Sequence, residues 1–133
     1  MSKMMEGKVV VVTGAGRGIG RDMALLMAAE GAAVVVNDLG VSVDGSVSTE
    51  TPAAEVVREI ESRGGRAVAN GESVSDWTAA GRIVQCAMDT FGRIDAVVNN
   101  AGILRDRFFF NMSLEEWRAV IDVHLNGTFY VSR

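Results

Sequence analysis

The stretch that decides the fold is residues 9–20, VVVVTGAGRGIG. Four consecutive valines, β-branched and without apolar/polar alternation, describe a strand buried on both faces of a parallel sheet. Gly14, Gly16, Gly18 and Gly20 follow, and from them the chain runs into GIGRDMALLMAAEG at 18–31, a helical pattern stopped by Gly31. Glycines permit a tight turn there and leave room for another backbone or a ligand to come close. The helix that opens at such a turn offers free N–H groups and the positive end of its dipole, a ready site for a pyrophosphate.

Working outward, the first strand reads as KVVVVT at 8–13, and three further β-branched or apolar runs follow: AVVVN at 33–37, RAVAN at 66–70 and IDAVVNN at 94–100. Between them lie two more helical patterns. TPAAEVVREIESRGG has Thr51 placed to cap, Pro52 at the first helical position and Gly64 as the stop. DWTAAGRIVQCAMDTFG is opened by Asp76 and closed by Gly92. The alternation is β-α-β-α-β-α-β with right-handed crossovers. A fifth element, helical, opens at SLEEWRAVIDVHL, where Ser113 and Glu116 make a capping box. The fold class predicted is α/β: a Rossmann-type doubly wound parallel sheet in three layers, α/β/α, with strand order 3-2-1-4, ending in that helix. Residues 1–133 read as one domain without a linker, and the polar loop 39–50, LGVSVDGSVSTE, is its one long irregular segment.

Composition narrows the functional classes. Hydrophobic residues make up 48% and charged residues 23% of 133, which is globular and not disordered. A net charge of −4 without a Lys/Arg block gives no reason to expect nucleic acid as a partner. The longest apolar run, Met23 to Ala29, is too short for a bilayer, so no membrane partner is expected. No His/Cys/Asp cluster has metal-ligand spacing. MSKMMEGK lacks the apolar core of a signal peptide, and Cys86 is the only cysteine, so a cytoplasmic location is expected.

The second strand runs into Asp38, the context in which a carboxylate accepts hydrogen bonds from an adenosine ribose. TGAGRGIG at 13–20 together with NNAG at 99–102 resembles the short-chain dehydrogenase/reductase family. VVVNDLG, the extended loop after it, RGGRAVANGESV and NNAGILRDR are most similar to its (3R)-hydroxyacyl-CoA dehydrogenase branch, as found in peroxisomal multifunctional enzymes. The resemblance implies that Gly14, Arg17, Gly18, Ile19 and Gly20 line the pyrophosphate turn and that Asp38 holds the ribose. Ser73 and Val74 would edge the adenine, where many members have Asp-Val, and Asn100, Ala101 and Gly102 would line the cofactor path. Asp38 favours NAD as the cofactor, because a carboxylate repels the 2′-phosphate of NADP. Arg17, a basic residue in the turn, argues the other way and is outweighed. The implied substrate is a small-molecule alcohol or ketone, or an acyl-CoA. The implied assembly is a homo-oligomer, dimer or tetramer, built partly on the fifth element.

That element carries one residue of a mechanism. Trp117, Val120, Ile121 and His124 fall at i, i+3, i+4, i+7, which sets His124 on the inward face, buried toward the open end of the fourth strand. Asn126 lies about 200° further round at about 100° per residue and points elsewhere. The family pattern places His124 where an Asn of the proton relay usually stands, so His124 is the one catalytic candidate. It is either a residue whose carbonyl holds a relay water or a core histidine satisfied by one hydrogen bond. The family's acid/base is a Tyr four residues before a Lys, helped by a Ser upstream. Tyr130 is the only tyrosine, no Tyr-x-x-x-Lys occurs, and Tyr130 reads as a packing or interface residue.

Smaller features read as structure. Arg105, Asp106 and Arg107 either approach substrate or, the preferred reading, form a solvated loop; Met23 and Met27 are helical core, and Glu55, Arg58 and Glu59 are a solvated helix face. The leading function is therefore the NAD-binding portion of a dehydrogenase that moves a hydride between a secondary alcohol and NAD. A non-catalytic nucleotide-binding or interaction module of the same fold is the alternative, and a Rossmann-type methyltransferase is disfavoured by TGxxxGxG with NNAG. Residues 1–133 by themselves are expected to be marginally stable, to associate through an open sheet edge, and to be inactive.

Overall fold

The computed structural model describes residues 2–40 and 51–133. The predicted loop 39–50 therefore lies largely outside the described residues. Four parallel strands, β1 (Val9–Val12), β2 (Ala33–Asn37), β3 (Arg66–Asn70) and β4 (Ala96–Val98), stand in the order β3-β2-β1-β4. Helices α1 (Gly18–Ala29), α2 (Pro52–Ser62) and α3 (Trp77–Phe91) make the crossovers. The order is the one that the sequence predicts.

Successive valines of β1 and β2 explain the three layers. Side chains alternate across a strand. Val10, Val12, Val34 and Val36 pack under α1 and α2 with Ala24, Ala28, Val56 and Ile60. Val9, Val11, Ala33 and Val35 pack on the other face with Ala80, Ile83 and Ala87 of α3 and with Val131. Burial on both faces holds for β1 and β2 but not for the outer strands. Arg66 and Ala69 of β3 and Ala96 of β4 are exposed, because an edge strand has a neighbour on one side only. Strand β4 is also shorter than 94–100: Asn100 N–H turns back onto the Val98 carbonyl and ends the ladder.

Caps fall where sequence places them. Thr51, Asp76 and Ser113 each accept a backbone N–H three residues on, from Ala54, Ala79 and Glu116. Gly31, Gly64 and Gly92 take the positive φ that lets the chain leave a helix. On α1 the buried stripe is Gly20, Ala24 and Ala28, small residues that let the helix lie close to the sheet. Met27 is partly buried and packs against this core, whereas Met23 lies outside the core clusters, contrary to its reading as core. Glu59 is only partly solvated: its carboxylate ties Arg21 of α1 to Arg63, the residue that follows α2.

The fifth element is one rod in three parts. Helix α4 (Leu114–Ile121) passes through a π-helical turn, Asp122–Asn126, into α5 (Gly127–Ser132). The wider turn shifts the phase of everything beyond it. A uniform count of 100° per residue fails there. Trp117, upstream of that turn, is 52% exposed because α4 buries none of its residues, and the inward contacts of the rod come from Val123, Gly127, Tyr130 and Val131.

Candidate dinucleotide site

The carboxyl ends of β1, β2 and β4 open on one cleft of about 200 Å³. Gly14, Asp38, Ser73, Val74, Ala101 and Gly102 line it, with Asn37, Glu72 and Val123. Ligands of parallel α/β sheets bind at this kind of crevice.

The glycine turn is built by close approach. Gly14 has φ +63°, and a Cβ there would stand 2.9 Å from Ala101 Cα. A Cβ on Gly16 would meet the Asp38 carboxylate and Pro52 Cβ at 2.7 Å. Gly20 is buried and does not line the cleft: its Cβ would fall 2.3 Å from the Gly14 carbonyl oxygen. That places Gly20 behind the turn, as the surface on which the turn rests. Arg17, Gly18 and Ile19 are exposed at its lip. Helix α1 has no side-chain cap and no acidic residue in its first turn, while α2, α3 and α4 are capped by side chains. Its first N–H groups are thus open to an anion.

Thr13 and Asn100 lock the turn to β4. Thr13 Oγ accepts the N–H of Asn100 at 3.1 Å and of Ala101 at 3.0 Å. Asn100 Nδ2 donates to the carbonyls of Thr13 and Gly14, both at 3.1 Å. On the other side Asp38 accepts the Gly16 N–H at 3.1 Å and the Gly40 N–H at 2.9 Å. Its carboxylate is held at the cleft wall by backbone donors. Val74 is buried beneath the wall, where it packs on Gly127, and Ser73 Oγ shares a hydrogen bond with Ser75 Oγ.

His124 lies against the end of the β4 loop, but it is exposed and not buried. The α4–π–α5 rod touches the body through α3 and the 101–103 segment, so the outer face of the ring stays open. The inner edge is well engaged. Its Nε2 stands 3.1 Å from the Ile103 N and 2.9 Å from the Ile103 carbonyl oxygen, and the ring fills the space a Gly102 side chain would need. The His124 carbonyl accepts the Thr128 hydroxyl at 2.6 Å. Asn126 donates to Asp122 at 2.8 Å and does not reach the cleft. Tyr130 packs edge-on against Trp77 at 5.4 Å. Arg107 pairs with Glu116 and holds its carboxyl below the usual range, so the 105–107 loop is anchored at one end.

Sequence reasoning left Gly16 and Asn37 off the site. Gly16 was visible in the turn, and its contact with Asp38 was not. Asn37, 2% exposed, sits at the end of β2 and looks in sequence like an ordinary turn residue. Among the described residues no helix is long and apolar enough to cross a membrane, and no His/Cys/Asp/Glu group is set to hold a metal ion.

The chain is similar to known proteins in sequence and fold. The crystal structure of a short chain dehydrogenase from Mycobacterium avium superposes with a TM-score of 0.89 at 56% identity, over 96% of this chain and 44% of that one. Peroxisomal multifunctional enzyme type 2 of Mus musculus is 53% identical over 128 residues, 96% of this chain and 17% of the enzyme. A hydroxyacyl-CoA dehydrogenase of Mycobacterium tuberculosis is 47% identical over 133 residues, 97% of this chain and 39% of its own length. The chain thus spans less than half the length of each. The sequence profile described as short chain dehydrogenase matches residues 8–133, and with these likenesses it shows that the chain belongs to the short-chain dehydrogenase family.

Proposed function

We propose that residues 1–133 form the dinucleotide-holding part of an NAD-dependent dehydrogenase acting on a secondary alcohol, with a 3-hydroxyacyl-CoA as substrate class. The observation that carries this reading is a glycine turn ahead of an uncapped helix, with Gly14 of the turn and the Asp38 carboxylate lining one cleft. The residues fit a dinucleotide. Gly14, Gly16 and Gly18 put no side chain in the way of a pyrophosphate, and the α1 N–H groups would face it. Asp38 is fixed where it can accept from ribose hydroxyls, and its charge disfavours a 2′-phosphate there. Ser73 and Val74 are assigned to the base end, and Asn100, Ala101 and Gly102 to the path toward the nicotinamide.

NAD would supply the hydride acceptor. Within this chain His124 is assigned to the reaction end, holding the 102–103 backbone that borders the cleft. It is not the group that takes the substrate proton. Tyr-x-x-x-Lys does not occur in residues 1–133, so proton transfer is assigned to residues outside them. The substrate class rests on likeness to proteins named hydroxyacyl-CoA dehydrogenase and multifunctional enzyme type 2. Leu125, 63% exposed, and Phe129, 58% exposed, support a homo-oligomer formed partly on the α4–α5 rod. A cytoplasmic location is proposed from the single free cysteine.

The test is NADH production from NAD and a 3-hydroxyacyl-CoA, followed by absorbance. Residues 1–133 alone should give none, while a chain that joins them to a segment bearing Tyr-x-x-x-Lys should turn over. Turnover by residues 1–133 alone would refute the assignment of the proton chemistry. A joined chain that folds, binds NADH and stays inert on hydroxyacyl-CoA would refute the substrate class.

A further inference from the structure

The site as described uses Asp38, Ser73 and Val74 but leaves unexplained the most buried amide beside them. Asn37 ends β2, is 2% exposed, and pairs in register with Asn70, the last residue of β3. Its Nδ2 meets three oxygens: Asn70 Oδ1 at 2.9 Å, the Glu72 carbonyl at 2.9 Å and the Asn70 carbonyl at 3.4 Å. Oxygen acceptors on every side fix which end of the amide points there, since only Nδ2 can donate. Asn70 Oδ1 in turn accepts the Glu72 N–H at 3.0 Å. The two asparagines thus clasp the chain where it leaves β3, and Glu72, Ser73 and Val74 emerge from that clasp as one wall of the cleft. Asn37 is also tied to the other two walls. Its carbonyl accepts the Ala15 N–H at 2.8 Å inside the glycine turn, and its neighbour Asp38 donates its N–H to the Asn70 carbonyl at 3.0 Å.

A strand pair needs no such device to hold its register; the ladder and the buried valines of β2 already do that. A fully buried amide costs stability unless its bonds are made, and here every donor bond is spent on the 70–72 turn. We propose that Asn37, with Asn70, is a positioning residue for the adenosine end of the cofactor: it fixes the 72–74 wall relative to Asp38 and the glycine turn. This inference rests on the dinucleotide reading above. Losing the clasp would free the wall to shift, so affinity at that end falls in any variant whose sheet stays formed.

The probe is ADP-ribose, which carries the adenosine, both phosphates and no nicotinamide. Its dissociation constant is measured by calorimetry for the wild-type chain and for Asn37→Ala, Asn70→Ala and Ser113→Ala, at a temperature where circular dichroism shows each folded. Ser113→Ala removes the α4 cap, remote from the cleft, and reports what a loss of stability alone does to binding. Asn70 is only partly buried, so Asn70→Ala cuts two clasp bonds without opening the core and decides the matter if Asn37→Ala fails to fold. The expected result is an about tenfold weaker affinity in the clasp variants, the scale of one or two hydrogen bonds, with Ser113→Ala like wild type. Wild-type affinity in folded Asn70→Ala would overturn the proposal, and so would an equal loss in Ser113→Ala. Failure of the wild-type chain to bind ADP-ribose at all would instead refute the dinucleotide reading, and this inference with it.

Discussion

At Gly20 and Gly18, two residues apart, the same turn needs glycine for different reasons. Gly20 has an ordinary helical backbone but no space, with the Gly14 carbonyl oxygen 2.3 Å from where a Cβ would stand. Gly18 has space on all sides but φ +58°. Gly20→Ala must move backbone, and should cost at least about 3 kcal/mol, the upper range for overpacking. Gly18→Ala carries only the left-handed penalty, roughly 1–2 kcal/mol. Urea unfolding of both variants checks this; equal losses would mean that the turn is not held by contact with Gly20. The glycines and Asp38 were legible in the sequence because spacing and a strand-helix context identify them. Asn37 was not, because one buried asparagine at a strand end carries no pattern. His124 was legible in direction but not in burial, since burial depends on what packs outside it.

Among the elements, strand order and the caps on α2, α3 and α4 were legible, for they follow from apolar runs and from single polar residues at fixed offsets. The fifth element was misjudged in burial. Trp117 precedes the π turn at Asp122–Asn126, and it is exposed because α4 buries none of its residues, which an apolar stripe at helical spacing does not reveal. The start of β1 shows an electrostatic tie that sequence also hid. Asp95, just before β4, accepts the Val9 N–H at 2.8 Å and pairs with Arg93 at 2.6 Å. The Arg93 guanidinium, and then the Val9 N–H, hold its carboxyl below the ordinary value. A depressed carboxylate stabilises the fold above its unfolded pKa, about 4, and loses that contribution as pH falls through the folded value. Asp95→Asn keeps an acceptor for Val9 and removes the charge. Wild type should therefore be the more stable at neutral pH, with the difference closing below about pH 4. Denaturant midpoints across a pH series test this, and a difference that stays constant with pH would contradict it.

At the scale of the whole molecule, a closed core around β1 and β2 stands beside an open side at β4. Among the described residues nothing pairs with the outer edge of β4, and beside it lies a groove lined by Val84, Ile94, Val97 and Val131. The dinucleotide cleft belongs mainly to the closed half, since Gly14, Asp38 and Val74 all stand on or against buried strands and helices. Residues 1–133 should therefore bind a dinucleotide whether or not they react. The most direct measurement is a titration of the chain with NADH and with NADPH, followed by nicotinamide fluorescence and repeated on Asp38→Ala. NADH should bind at least about tenfold more tightly, the effect of one charge placed at the 2′ position, and the two should bind near-equally once Asp38 is removed. Equal affinities in the unaltered chain, or a preference for NADH that survives Asp38→Ala, would contradict the assignment of Asp38 to the ribose.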